Sequence, residues 1–237
     1  MQSINLKEQS ESMHKPVKLL LFIALLACAL LGACQKEKEA PVLSPNKKPA
    51  SQGTIVAVGD SLTAGYGVPE TEAYPAKLER KLRQEGYRWR VVNAGISGET
   101  SSGTLARIDW ILKLAPDIVI LEIGANDGMR GQDPELTRKN IDKIVTALQA
   151  KGVTVVLAGI RMLTNLGPSY TQKFAAIYPR VAKDRNLILI PFILDKVAGE
   201  ETLNLSDGIH PNGQGYDIVT ENVYPYLLQA MRLKNGS

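Results

Sequence analysis

Histidine and cysteine are nearly missing from this chain, which has two of each in 237 residues. Both cysteines, Cys28 and Cys34, fall in the first 34 positions, so the remainder holds no disulfide and no thiolate ligand. His14 lies in the same leading stretch, which leaves His210 as the one histidine beyond it. One histidine is too few for a His-rich dimetal site, and neither a metal nor a cofactor is expected. Aromatic residues make up only 5%, which weakens a sugar-stacking surface. Charge of one sign is also scarce. The net charge is +4, and residues 1–33 hold three Lys/Arg and two Asp/Glu, so their removal leaves +3. No basic patch with interleaved aromatics stands out, so no nucleic-acid partner is inferred. No P-loop occurs, and Gly65-Tyr66-Gly67 lacks the third glycine of a dinucleotide fingerprint. The longest apolar run, residues 19–31, falls short of the roughly 20 residues that a membrane-spanning helix needs.

That short run has another use. Lys15 and Lys18 precede it, and Leu31-Gly32-Ala33-Cys34 closes it with small residues before a cysteine. The last four residues resemble a bacterial lipobox. The resemblance implies a lipoprotein signal peptide over residues 1–33, cleavage before Cys34 and lipidation of that cysteine. Acyl chains there would hold the protein to a membrane, each buried methylene contributing about 0.8 kcal/mol. An uncleaved signal anchor is the alternative. Met13 is a candidate start, because residues 1–12 add nothing to the signal. Residues 34–52 are charged and then rich in Pro, Ser and Lys, and read as a flexible tether. The expected place is the cell envelope, lipid-anchored at the periplasmic face. Gln35 is not aspartate, which by the enterobacterial sorting rule points to the outer membrane. Residues 53–237 suit one domain.

The domain is organised around Ile55-Val56-Ala57-Val58-Gly59-Asp60-Ser61-Leu62-Thr63. A β-branched run stops at Gly-Asp-Ser, so Ser61 is placed at the carboxyl end of a buried strand. Strands are expected at residues 54–58, 88–92, 118–123, 153–158 and 187–190. Helices are expected at 74–84, 101–114, 134–151, 171–184 with a kink at Pro179, 192–197 and 214–231. Strands alternating with helices imply right-handed crossovers and a parallel sheet covered on both faces. Five strands fit an α/β three-layer domain of flavodoxin-like order 2-1-3-4-5. The segments rich in Gly, Asn and Ser then fall at carboxyl ends of strands, along one rim.

A serine hydroxyl is a weak nucleophile and needs a base, and His210 is the one available. Gly59-Asp60-Ser61-Leu62, Gly95-Ile96-Ser97-Gly98-Glu99-Thr100, Gly124-Ala125-Asn126-Asp127 and Asp207-Gly208-Ile209-His210-Pro211 resemble, in order, the four blocks of the SGNH (GDSL-type) hydrolases. The chain looks most like the bacterial periplasmic group of multifunctional esterases, thioesterases and lysophospholipases, over about residues 54–232. The resemblance implies Ser61 as nucleophile, His210 as base and Asp207 as the acid that orients it. It also implies an oxyanion hole from the Ser61 N–H, the Gly98 N–H and the Asn126 amide, with Gly95 as a rival to Gly98. Gly98 suits the role because glycine lets a backbone approach closely. Taken singly, Asp60 reads as a cap, Ser61 as a helix N-cap, Asn126 and Asp127 as turn residues and His210 as a loop residue. The serine context lacks the Gly-x-Ser-x-Gly elbow of α/β-hydrolases. The likeness of Gly59-Asp60 and Gly124-Ala125-Asn126-Asp127 to metallophosphatases is faint.

The implied activity is cleavage of acyl esters through an acyl-enzyme, with thioesters, lysophospholipids and aryl esters as further substrates. Met129, Met162, Leu163 and Leu166 are candidates to line an acyl channel, or merely pack against the rim. A carbohydrate O-acetylesterase is the second enzyme reading. A non-catalytic lipoprotein that binds acylated ligands is the reading of another class, and a monomer is expected. Imidazole titrates between roughly pH 5 and 8, so a rate carried by His210 should rise with pH across that window.

Overall fold

The five apolar runs form one parallel sheet. The structure is a computed structural model that describes residues 51–162 and 166–235. Cys34, the leader, most of the tether and Leu163 lie outside the described residues. The strands are β1 (Gly53–Gly59), β2 (Trp89–Gly95), β3 (Ile118–Glu122), β4 (Thr154–Ala158) and β5 (Ile188–Ile190), in the order β2-β1-β3-β4-β5. All pairings are parallel. Every residue of β3 is buried, as a central strand covered on both faces requires.

Between and around the strands run α1 (Ser61–Ala64), α2 (Tyr74–Gln84), α3 (Ser101–Ala106), α4 (Ile108–Lys113), α5 (Ala125–Met129), α6 (Pro134–Gln149), α7 (Pro168–Ala175), α8 (Ile177–Arg185) and α9 (Gly213–Asn235). α2 and α9 pack together over one face of the sheet, while α6 and α8 pack together over the other. α2 buries Leu78 and Leu82, and α6 buries Ile141, Ile144, Val145 and Leu148, the residues spaced to one side in the sequence. Among the described residues no helix is long and apolar enough to cross a membrane.

Several boundaries differ from the sequence reading. β2 continues through Asn93-Ala94-Gly95, which reads as loop, because its pairing with β1 runs to Gly59 opposite Gly95. The helix expected over 101–114 is two helices that meet at Arg107, whose N–H is shared between the Gly103 and Thr104 carbonyls. The break expected at Pro179 falls instead at Ala176, and Pro179 sits in the first turn of α8, where a missing N–H costs nothing. Residues 192–197 form turns rather than a helix. Asn126 and Asp127, singly readable as turn residues, belong to α5.

The register sets the site. Gly59, Gly95, Glu122, Ala158 and Ile190 stand in one row across the carboxyl ends of the five strands. Ser61, Gly98, Asn126 and Arg161 each follow that row by two to four residues. β1 and β3 flank the point where the winding of the sheet reverses, the usual place of a ligand crevice.

Candidate active site

The turn that carries Ser61 is built by close approach. A Cβ on Gly59 would lie 2.1 Å from Thr63 Oγ1 and 2.4 Å from the Glu122 carbonyl, so only glycine fits there. Asp60 then caps α1, its Oδ1 accepting the Leu62 N–H at 3.0 Å. That cap leaves Ser61 as the first residue of the helix, its own N–H without an intrahelical acceptor.

The second part is the loop after the single 3-10 turn Glu201–Leu203. The Leu205 N–H donates to the His210 carbonyl at 2.8 Å, and the Asn212 N–H to the Leu203 carbonyl at 2.9 Å, closing a tight hairpin. Asn212 Oδ1 accepts the Gln214 and Gly215 N–H groups, both at 3.0 Å, and so ties the loop to the start of α9. Inside the hairpin, Asp207 Oδ1 accepts the N–H groups of Ile209 (2.9 Å) and His210 (3.0 Å). Its Oδ2 lies 2.7 Å from His210 Nδ1. The His210 backbone N–H, its imidazole and the Ile209 N–H hold the Asp207 carboxyl down at about 2, so it is ionised over any working pH.

The two parts meet. His210 Nε2 lies 2.9 Å from Ser61 Oγ. With Nδ1 protonated toward Asp207, Nε2 is free to accept the serine proton. The Tyr66 ring packs on the imidazole, their centroids 4.6 Å apart. Ser61 is nearly buried, at 9% exposure.

Three candidate N–H donors follow the carboxyl ends of β1, β2 and β3, which are neighbours in the sheet. The first is the Ser61 N–H. The second belongs to Gly98, held at φ +79°, a left-handed conformation that favours glycine. A Cβ at Gly98 would meet among protein atoms only Arg130, 3.9 Å away, so the backbone angle is what calls for glycine there. The rival Gly95 lies within β2, its N–H bonded to Asn93 Oδ1 at 3.0 Å. The third is Asn126 Nδ2, which donates one hydrogen to Asp60 Oδ2 at 3.2 Å and keeps a second.

Sequence reasoning missed what lies beneath. Glu122, fully buried at the end of β3, accepts the Asp60 N–H at 3.3 Å and the Thr63 hydroxyl at 2.8 Å. Burial, and then the charge of Asp60, push the Glu122 carboxyl well above the usual range. Burial raises Asp60 to about 6, opposed by the Leu62 N–H and the nearby His210. The nearby His210 favours the charged form of Asp60, whose charge in turn disfavours a second one on Glu122, so Glu122 is the carboxyl held more strongly in its neutral form. The available signal was one acidic residue inside the apolar run 118–123.

Beside Ser61 and His210 opens a cleft of about 360 Å³. Met129, Met162 and Leu166 line it, together with Ile160, Phe192 and Leu194, which sequence reasoning did not single out. A larger groove of about 530 Å³ runs between α2 and α9. It holds no histidine, and its Lys77 is paired with Glu72 (2.7 Å) and Asp217 (2.6 Å) and its Lys81 with Glu221 (2.8 Å). It is a polar surface furrow without the means for acyl transfer. Among the described residues no group of three His, Cys, Asp or Glu could hold a metal ion.

The family model described as GDSL-like Lipase/Acylhydrolase matches residues 57–218. The chain belongs to this family. It is 39% identical over 179 residues to esterase TesA of Pseudomonas aeruginosa, covering 75% of this chain and 89% of that protein. It is 37% identical over 173 residues to thioesterase 1/protease 1/lysophospholipase L1 of Escherichia coli K12, covering 73% and 82%. The crystal structure of TesA superposes with a TM-score of 0.72 at 39% identity, over 75% of this chain and 99% of that one. The chain is a carboxylic ester hydrolase with the SGNH hydrolase fold, and esters of acyl groups are its substrates.

Proposed function

We propose that this hydrolase works by a Ser61–His210–Asp207 triad. The observation that carries the reading is the chain of contacts from Ser61 Oγ to His210 Nε2 at 2.9 Å and from Nδ1 to Asp207 at 2.7 Å. Ser61 Oγ attacks the acyl carbonyl as its proton passes to Nε2. The negative charge that develops on the carbonyl oxygen is met by the Ser61 and Gly98 N–H groups and the second hydrogen of Asn126 Nδ2. Collapse breaks the acyl–oxygen or acyl–sulfur bond, and the imidazolium returns its proton to the leaving group. Water, deprotonated by the same histidine, then releases the acid and restores Ser61. Asp207 stays ionised throughout and holds the ring.

The substrates inferred are aliphatic acyl esters, and thioesters and lysophospholipids as in the name of the Escherichia coli relative. The apolar lining of the cleft supports an acyl chain there. Hydrolysis of p-nitrophenyl esters from acetyl to dodecanoyl, by wild type and Ser61→Ala, tests the reading. Wild type should prefer medium or long chains, and Ser61→Ala should lose at least about 10³-fold in kcat. A variant that keeps its rate sinks the triad, and a strict preference for acetyl turns the substrate toward O-acetyl groups.

The leader supports an envelope location for the enzyme, lipidated at Cys34 and held at the periplasmic face of the outer membrane. All three triad members come from one chain, so the proposed site needs no residue from a second copy. Cys34→Ser should move the protein from the membrane to the soluble fraction after cell disruption. Retention in the membrane would overturn the anchor.

A further inference from the structure

The catalytic cleft contains one exposed fixed charge. Asp60 is buried beneath the nucleophile and bonded to Leu62 and Asn126. His210 is paired with Asp207. The remaining charged residue of the lining is Arg161, exposed and three residues beyond the end of β4. Its guanidinium lies over the Phe192 ring, 4.9 Å from the centroid. Phe192 lines the same cleft. Arg161 forms no salt bridge among the described residues, unlike Arg107, Arg138 and Arg185, each of which meets a carboxylate. The three undescribed residues that follow closely, Leu163, Thr164 and Asn165, bring no carboxylate either. A cation stacked on an aromatic ring is restrained in orientation, and a guanidinium presents a planar fork that fits phosphate and carboxylate oxygens. An unneutralised cation in an otherwise apolar cleft costs desolvation when a neutral ligand covers it and gains when an anion does.

We propose that Arg161 is a specificity-determining residue that selects acyl substrates carrying a phosphate in the leaving group. The inference rests on the ester-hydrolase reading of the same cleft. β4 is two strands from β1, so the base of Arg161 is about 10 Å from the nucleophile strand at about 4.8 Å per strand. The long arginine side chain covers part of that gap, so the phosphate it meets lies a few bonds from the reacting carbonyl. A glycerol phosphate ester has that spacing, whereas the long arm of a coenzyme A thioester puts its phosphates farther out. The two sources share the phosphate, and matched substrates separate them.

The test measures kcat/KM for two pairs of octanoyl substrates at low ionic strength. The first pair is octanoyl glycerol 3-phosphate and monooctanoylglycerol, and the second is octanoyl-CoA and octanoyl-N-acetylcysteamine. Within each pair the reacting bond is the same; the first pair differs by the phosphate alone, and the second by the pantothenate, adenosine and phosphates that N-acetylcysteamine lacks. Each protein is scored by the ratio of charged to neutral substrate, so a general change in activity cancels. Wild type should favour the glycerol phosphate about tenfold, the size of one charge-assisted contact in a half-open site. Arg161→Gln should bring that ratio to about one, and 0.5 M salt should shrink it in wild type. Lys143→Gln, on the outer face of α6, should leave it unchanged. A fall confined to the coenzyme A pair supports Arg161 as the reader and assigns it the nucleotide phosphates. Ratios that Arg161→Gln leaves unchanged in both pairs overturn the proposal. Wild type that cleaves none of the four, nor p-nitrophenyl butyrate, overturns the ester-hydrolase reading itself.

Discussion

At the scale of single residues the oxyanion amide and the buried acids make separate demands. Asn126→Ala removes the one side-chain donor proposed for the developing negative charge. It should cut kcat by about 10²–10³ with little change in KM, measured on a p-nitrophenyl ester. Glu122 makes a prediction about stability. Its carboxyl is raised well above the usual range when folded, while in the unfolded chain it ionises normally. The unfolded state therefore releases a proton that the folded state keeps, and the group takes stability away as pH rises from about 4.5 toward its folded value. Glu122→Gln keeps an acceptor for the Asp60 N–H and the Thr63 hydroxyl without that liability. Its Tm relative to wild type should increase steadily from pH 5 to pH 8, and a flat or falling difference would mean that Glu122 is ionised. Asp207 has the opposite sign. Its carboxyl is lowered to about 2, so its contribution is present above the ordinary carboxylate range and is lost as pH falls from about 4 to about 2. The side chain is 36% exposed, so solvent screening keeps that contribution small.

Single elements show how the loop proposed to supply an oxyanion donor is held. The loop that carries Gly98 runs into α3, whose first residue is Ser101. Buried Asp127, in α5, accepts both the Ser101 N–H (2.8 Å) and the Ser101 hydroxyl, and also the Thr137 hydroxyl at 3.3 Å. Glu99 in the same loop accepts Arg107 Nε at 2.6 Å, and Arg107 also donates to the Ala94 carbonyl at 2.8 Å. These contacts fix the second and third blocks of the motif against each other. Asp127→Ala would strand the buried Ser101 N–H and hydroxyl and leave the Thr137 hydroxyl only the Asp133 carbonyl at 3.5 Å, and should cost about 3 kcal/mol. Thermal melting should show a Tm lower by about 6–12 °C. A shift under 2 °C would mean that the network relaxes at no cost. Four short motifs were legible because glycine and polar residues interrupt apolar runs at strand ends. The break of the helix at Arg107 was not, since residues 101–114 carry no proline to mark it and the Arg107 side chain meets Glu99 and Ala94 only in the folded chain. Nor was the end of β2, because Asn93-Ala94-Gly95 looks like loop until β1 pairs with it.

Over the whole molecule, one strand order brings residues from 61 to 210 to the same rim. That order was legible, because alternating strand and helix patterns with right-handed crossovers admit few arrangements. The apolar rim residues Met129 and Leu166 could be picked out beside the motifs. Phe192 and Arg161 could not, since they reach the cleft only through the register that aligns Ala158 and Ile190 with Gly59. The central claim is that acyl transfer runs through Ser61. Its most direct test is covalent capture, in which the purified enzyme is treated with an aryl diethyl phosphate and the adduct is located by peptide mass spectrometry while ester hydrolysis is followed. The account predicts one adduct per chain, on Ser61, with activity lost in proportion, and no adduct on that peptide in His210→Ala over the same time. Label on another residue, or hydrolysis that persists after Ser61 is fully modified, would contradict it.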